Sequence, residues 1–135
     1  MSAVHVQVRV GGESYAVAVE HVIEIAELGE LSPVPGGPAS VLGVRNLRGE
    51  VLPVFDLATV LGIAGAGLRQ CLLVTEHDGL RAGFAVDEVT EVGTLPPVSE
   101  ETQSKLLAGA ALEDARLIGV VAVDRLFSAL SAGEA

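Results

Sequence analysis

Aromatic side chains make up only 3% of this 135-residue chain, and tryptophan is absent. A core must therefore be built from aliphatic residues, since half of the chain is hydrophobic. Cysteine occurs once, as Cys71, which excludes an internal disulfide and fits a reducing compartment. It stands in the apolar run Cys71-Leu72-Leu73-Val74, where a thiol packs as a small hydrophobe. Positive charge is scarce too: one Lys and seven scattered Arg face eighteen acidic residues, for a net charge of −10. Phosphate backbones need clustered cations, so nucleic-acid binding is not expected, and anionic membrane surfaces are disfavoured for the same reason. No apolar run approaches the ~18 residues needed to cross a bilayer. The opening MSAVHVQVRV has neither a basic leader nor an apolar signal core. A cytoplasmic location without direct membrane insertion is the expectation.

Signatures of chemistry are missing as well. There is no Gly-x-Ser-x-Gly elbow and no G-x-x-x-x-G-K phosphate loop. His5, His21 and His77 lie far apart in sequence, and none neighbours Cys71, so zinc-type spacing is absent. His5 and His21 read as wet-face residues and His77 as a turn residue. Glu100-Glu101 and Glu113-Asp114 adjoin turns, where charge is ordinarily solvated. Generic Ser, His and carboxylates are all that supports a small β-barrel enzyme or ligand-binding protein. No enzyme, metal or cofactor is expected.

What the chain does have is alternation. Val4, Val6, Val8 and Val10 interleave with His5, Gln7 and Arg9, the period of a strand with one buried face. Gly11-Gly12 permits a reversal, and Tyr15, Val17 and Val19 resume the pattern. Val and its branched relatives favour strands, so the protein reads as mainly β.

The pattern is then written again. Val19-Glu20-His21-Val22-Ile23-Glu24-Ile25 matches Val86-Asp87-Glu88-Val89-Thr90-Glu91-Val92 position by position in character. A hairpin precedes each copy, the second turning at Asp78-Gly79. Prolines follow each: Pro33 and Pro35, then Pro96 and Pro97. Val51 to Phe55 ends in Asp56, positioned to cap a helix over Leu57 to Leu61 that Gly62 would end. Gly119 to Val123 ends in Asp124, positioned to cap Arg125 to Leu130. Ser99 is placed to cap a short helix carrying Leu106 and Leu107, with no counterpart in the first half. The expectation is a single domain over 1–135 made of two β-rich subdomains, about 4–62 and about 69–130, linked by Ala64-Gly65-Ala66-Gly67. Units of about 60 residues bury little surface alone, so the two should share an apolar seam. Short turns between consecutive strands favour small closed barrels, which leave no open edge.

The stretch from Pro33 to Gly62 holds one polar residue of note. Arg48 stands in Asn46-Leu47-Arg48-Gly49-Glu50, between two apolar strand runs. An arginine in a turn is ordinarily just solvated. On a rigid turn it can also grip a partner's carboxylate or carbonyls, and Gly49 lets that partner come close.

The run Gly43-Val44-x-Asn46-Leu47-Arg48-Gly49-x-Val51-x-Pro53-Val54-x-Asp56-Leu57 resembles the signature of CheW, the coupling protein of bacterial chemosensory arrays. Val17 to Ile25, Gly83 to Val89 and Gly109 to Leu130 resemble further segments of that family, in order, over nearly the whole chain. The resemblance implies two small SH3-like β-barrels on a shared core, with short helices and no enzymatic activity. It implies an adaptor between the cytoplasmic tips of chemoreceptors and the regulatory domain of a CheA-type histidine kinase. The receptor tip, a helical hairpin, would lie in a groove between the barrels. Carried over by residue, Arg48, Gly49, Gly43, Val22, Leu72 and Val86 would serve receptor binding, and Glu24 would face the kinase. Val22, Leu72 and Val86 read equally as core positions. Arg45 and Gly119 depart from the family pattern, at places usually small or apolar and usually bulkier. With the short ends of the chain, they motivate an alternative: a divergent adaptor that binds receptors or another regulator but not the kinase.

Overall fold

The computed structural model describes residues 3–63, 67–102 and 104–131. The expected link falls mainly on 64–66, outside the described residues. The elements run β1 (Val4–Val10), β2 (Glu13–Ala18), a 3-10 turn (Val19–His21), β3 (Val22–Glu27), β4 (Val41–Leu47), β5 (Glu50–Asp56) and α1 (Leu57–Leu61). They continue with β6 (Cys71–His77), β7 (Leu80–Val86), β8 (Glu88–Thr94), β9 (Val98–Ser99), β10 (Leu107–Glu113), β11 (Arg116–Val121) and α2 (Val123–Ser131).

Two sheets form, one ordered β8-β1-β2-β11-β10-β9 and the other β3-β6-β7-β5-β4. They obey the same plan. In each, a hairpin (β1–β2 or β6–β7) pairs in parallel with the second strand of another hairpin (β11 or β5). In each, the strand that the repeated motif leads into (β8 or β3) flanks the first hairpin. The internal repeat is therefore real, but the sheets do not divide at 62 and 69. The second sheet is the contiguous segment from Val22 to Val86, whereas the first is assembled from both ends of the described chain. Each half has given its leading hairpin to the other half's barrel. Alternation identifies strands but not their partners, which is why the boundary could not be read from it.

Two apolar clusters result. Leu52, Val54, Leu72, Val74 and Ala85 fill the second barrel. The larger cluster includes Val6, Val8 and Val17 of the first sheet, Leu73, Phe84 and Val86 of the second, and Leu126 and Phe127 of α2. It is the shared seam. Phe84 touches it while its neighbour Ala85 faces the barrel interior, as the two-residue period of a strand demands.

One local expectation holds at Gly62, and several others change. Gly62 ends α1 in the left-handed conformation, with φ 73°. Asp56 stands at the N-cap position of α1 but makes no cap bond to the backbone. Its buried carboxylate instead pairs with Arg69 at 2.8 Å and accepts the Thr59 hydroxyl at 2.8 Å. The expected helix behind Ser99 does not form: Ser99 lies in β9 and Leu107 opens β10. Asp124 falls inside α2, in its first turn, because the helix starts at Val123, two residues before the expected Arg125. Gln7 is buried although its strand alternates, because β1 is flanked on both sides and Glu91 accepts its amide N–H at 3.2 Å. His77 ends β6, with its ring 5.9 Å from His21 and 5.8 Å from Phe127.

Candidate functional site

The β4–β5 hairpin turns on Arg48 and Gly49, both with positive φ (53° and 84°). Two such residues make the turn whose twist suits a hairpin. A Cβ at Gly49 would meet nothing within 4 Å, so conformation rather than crowding asks for glycine there. Asn46 stiffens the turn: its Oδ1 accepts the Gly49 N–H at 3.1 Å. Arg48, a non-glycine residue in the left-handed region, is held by this local frame.

Its guanidinium reaches Glu24 on β3. Nε donates to both carboxylate oxygens at 3.1 Å and one terminal nitrogen donates to Oε2 at 2.7 Å. The Arg48 side chain is 76% exposed and that of Glu24 only 24%, so the arginine caps the glutamate and keeps an open face. The hydrogen bonds from Arg48 hold the Glu24 carboxyl below its usual range and push the guanidinium further up. A forked pair of this kind fixes orientation as well as position.

The strand order explains why these two meet. β3 and β4 are the opposite edges of their sheet, so a contact between them closes the barrel. Three other contacts do the same. Ser32 bridges Val44, with N–H···O distances of 2.9 and 2.8 Å. Arg45 Nε donates to the Leu28 carbonyl at 2.9 Å, and its guanidinium lies 2.7 Å from where a Cβ on Gly29 would stand. At Gly43, φ is 152° and a Cβ would come 2.5 Å from the Ser32 carbonyl oxygen. Gly43 is buried and lets the closing chain cross.

The other predicted site residues are not gathered at this turn. Leu72 and Val86 are fully buried, the first inside the second barrel and the second in the seam. Val22 is partly buried against the seam. Arg48, Gly49 and Glu24 form one surface; Gly43, Leu72, Val86 and Val22 lie behind it or in the core. Both departures also have internal explanations. Arg45 closes the barrel, and Gly119 is where the Tyr15 ring lies, 2.9 Å from where a Cβ would be. Burial, then the bond from its hydroxyl to Glu13 at 2.6 Å, push the Tyr15 phenol up.

Residue reading missed some of the construction. Gly109 is the counterpart of Gly43, since a Cβ there would overlap the Ser99 carbonyl oxygen. A bulge precedes each glycine. The matched Ser32 and Ser99, each shortly after a copy of the repeated motif, were the available signal. The corresponding turn of the first sheet's barrel, between β10 and β11, is Asp114-Ala115, with positive φ at both residues. There the places of Arg48 and Glu24 are taken by Asp114 and Glu91, and the ion pair is not repeated. These acids border a cleft of about 330 Å³ with Gln7, Glu113 and Arg116, which holds no imidazole or thiol. Among the described residues, no group of three His, Cys, Asp or Glu could hold a metal ion. Nor is any helix long and apolar enough to cross a membrane.

Comparison with known proteins agrees with this geometry. The CheW-like domain model matches residues 5–131. A probable chemotaxis protein CheW of Rhizobium etli is 32% identical over 130 residues, 89% of this chain and 84% of its own. Protein FrzA of Myxococcus xanthus is 38% identical over 115 residues, 84% of this chain and 70% of its own. The crystal structure of the scaffolding protein TtCheW from Thermoanaerobacter tengcongensis superposes with a TM-score of 0.85 at 26% identity, covering 94% of this chain and 88% of that one. With two small barrels on one seam and the signature turn in place, this chain belongs to the CheW-like family.

Proposed function

We propose that this chain is a non-enzymatic adaptor that couples chemoreceptors to a CheA-type histidine kinase in a bacterial chemosensory array. The observation that carries the reading is the Arg48 turn, in a chain of this family. An exposed guanidinium on a stiff hairpin can offer its open face to a partner's carboxylate or carbonyls while losing little entropy. The receptor's helical tip is the partner assigned to Arg48 and Gly49, with Gly43, Val22, Leu72 and Val86 shaping the surface from behind. Glu24 is assigned to the kinase's regulatory domain. Because Arg48 and Glu24 are bonded to each other, the two partner surfaces meet at one ion pair. The protein would work in the cytoplasm, held near the membrane by receptors rather than by inserting into it.

The divergent reading, in which kinase binding is lost, drew part of its support from Arg45 and Gly119. Each now has a role within its own barrel, so neither argues for altered partners. The test is quantitative binding of the purified chain to a receptor-tip fragment and to the regulatory domain of the kinase. Binding of both at micromolar concentration is expected. Receptor binding alone would favour the divergent adaptor, and silence with both would overturn the reading.

A further inference from the structure

The chain passes between its two sheets at two places: Val19–His21, between β2 and β3, and Asp87 alone, between β7 and β8. The single-residue crossover is clamped. Asp87 Oδ2 accepts the Gly11 N–H at 2.9 Å, in the β1–β2 turn of the first sheet. Its Oδ1 accepts the Arg69 N–H at 3.3 Å, just before β6 of the second. Its own N–H donates to the Arg9 carbonyl at 3.0 Å. Gly67 runs so close that a Cβ there would overlap the carboxylate.

The clamp extends further. Arg69, held at a φ of 48°, sends its guanidinium to the buried Asp56 at the junction of β5 and α1. That pair is poorly completed: Asp56 Oδ1 and Arg69 Nε are both buried without a hydrogen-bond partner. Burying charge with atoms left unsatisfied is a weak way to gain stability. It does fix geometry, since each group can sit in only one place. Glu20, which holds the place of Asp87 at the other crossover, is exposed.

We infer that Asp87 is a positioning residue that sets the angle between the two barrels, acting through Gly11 and Arg69. Its bearing on partners rests on the adaptor reading: a fixed angle fixes the spacing at which two partners are held together. Asp87→Asn is the informative change. It keeps the shape but offers one carbonyl oxygen and turns an NH₂ group toward the second N–H donor.

The experiment measures barrel-to-barrel distance with spin labels at Val51→Cys and Leu117→Cys, one exposed site in each barrel, in a Cys71→Ala background. Amide exchange at Gly11 and Arg69 is followed in parallel. In Asp87→Asn, exchange at one of these amides should quicken about tenfold, as loss of one hydrogen bond predicts. The distance distribution should shift or broaden. Affinity for each partner alone should stay within about twofold, while the preference for binding both together falls about fivefold. Faster exchange with an unmoved distance distribution would overturn the inference. If Asp87→Asn does not fold, Gly67→Ala dislodges the same carboxylate from the other side. Wild-type protein that failed to hold both partners would count against the adaptor reading instead, and the distances would still decide the role of Asp87.

Discussion

At the scale of single residues, Arg48 and Gly43 separate two kinds of sensitivity. Arg48 is largely exposed and Gly43 is buried, although they are five residues apart on one hairpin. Arg48→Ala should leave the melting temperature close to wild type, because an exposed ion pair adds little to stability. It should weaken receptor–kinase complex formation about tenfold or more, as loss of an interface arginine does. A pull-down in which Arg48→Ala assembles like wild type would remove the role given to this turn. Gly43→Ala should behave oppositely: a Cβ 2.5 Å from the Ser32 carbonyl forces the backbones apart. A loss of about 1–3 kcal/mol in urea denaturation is expected, with Gly109→Ala similar. The ion pair also has a pH signature. The Glu24 pKa is depressed by Arg48, so the pair's contribution is present above about 4.5 and is lost as pH falls through the lower folded value. Glu24→Gln should flatten that part of an acid-denaturation profile.

At the scale of elements, the buried pair of Asp56 and Arg69 shows why part of this molecule was legible and part was not. Removing one partner strands the other, so Arg69→Met should cost about 2–3 kcal/mol, less than a fully buried pair because Arg69 is partly exposed. Replacing both partners with apolar residues should recover most of that in the same urea titration. Nothing in local sequence announces this pair. Asp before an apolar run reads as a helix cap, and only the return of the chain at Arg69 claims the carboxylate. The hairpins were legible because Gly11-Gly12, Arg48-Gly49 and Asp78-Gly79 are local signals beside alternating runs. The motif at Val19 and Val86 declared the repeat for the same reason. The absent helix behind Ser99 fails on tertiary grounds: Val98 and Ser99 pair with Ala111 and Ala110, and a strand edge outbids a cap. The Arg48–Glu24 contact joins elements at opposite edges of a sheet, so it became visible only once that sheet curled.

At the scale of the whole molecule, the seam makes two barrels one unit. Val6 and Val8 from the first sheet share it with Leu73 and Phe84 from the second. A single unfolding transition is expected, coincident by fluorescence of Tyr15 and by far-ultraviolet circular dichroism. Phe84→Ala should lower it by about 3–5 kcal/mol without splitting it. Two separated transitions would mean that the barrels fold independently. The exchange of hairpins between halves is what a division by sequence could not reveal, because period-two patterning leaves the choice of neighbour to the rest of the chain.

That exchange has a consequence for the order in which a ribosome can release finished structure. The barrel from Val22 to Val86 has all its strands as soon as that segment has emerged. The other cannot close until Ile118 arrives to lie beside Ser14. Until β8 emerges to pair with β1, β1 and β2 are a lone hairpin with bare backbone edges, marginal in water, and the β2 edge stays bare until β11 arrives. Nascent chains stalled after Val86 should therefore carry one completed barrel and one waiting hairpin, whose open edge is the place where misassociation would begin.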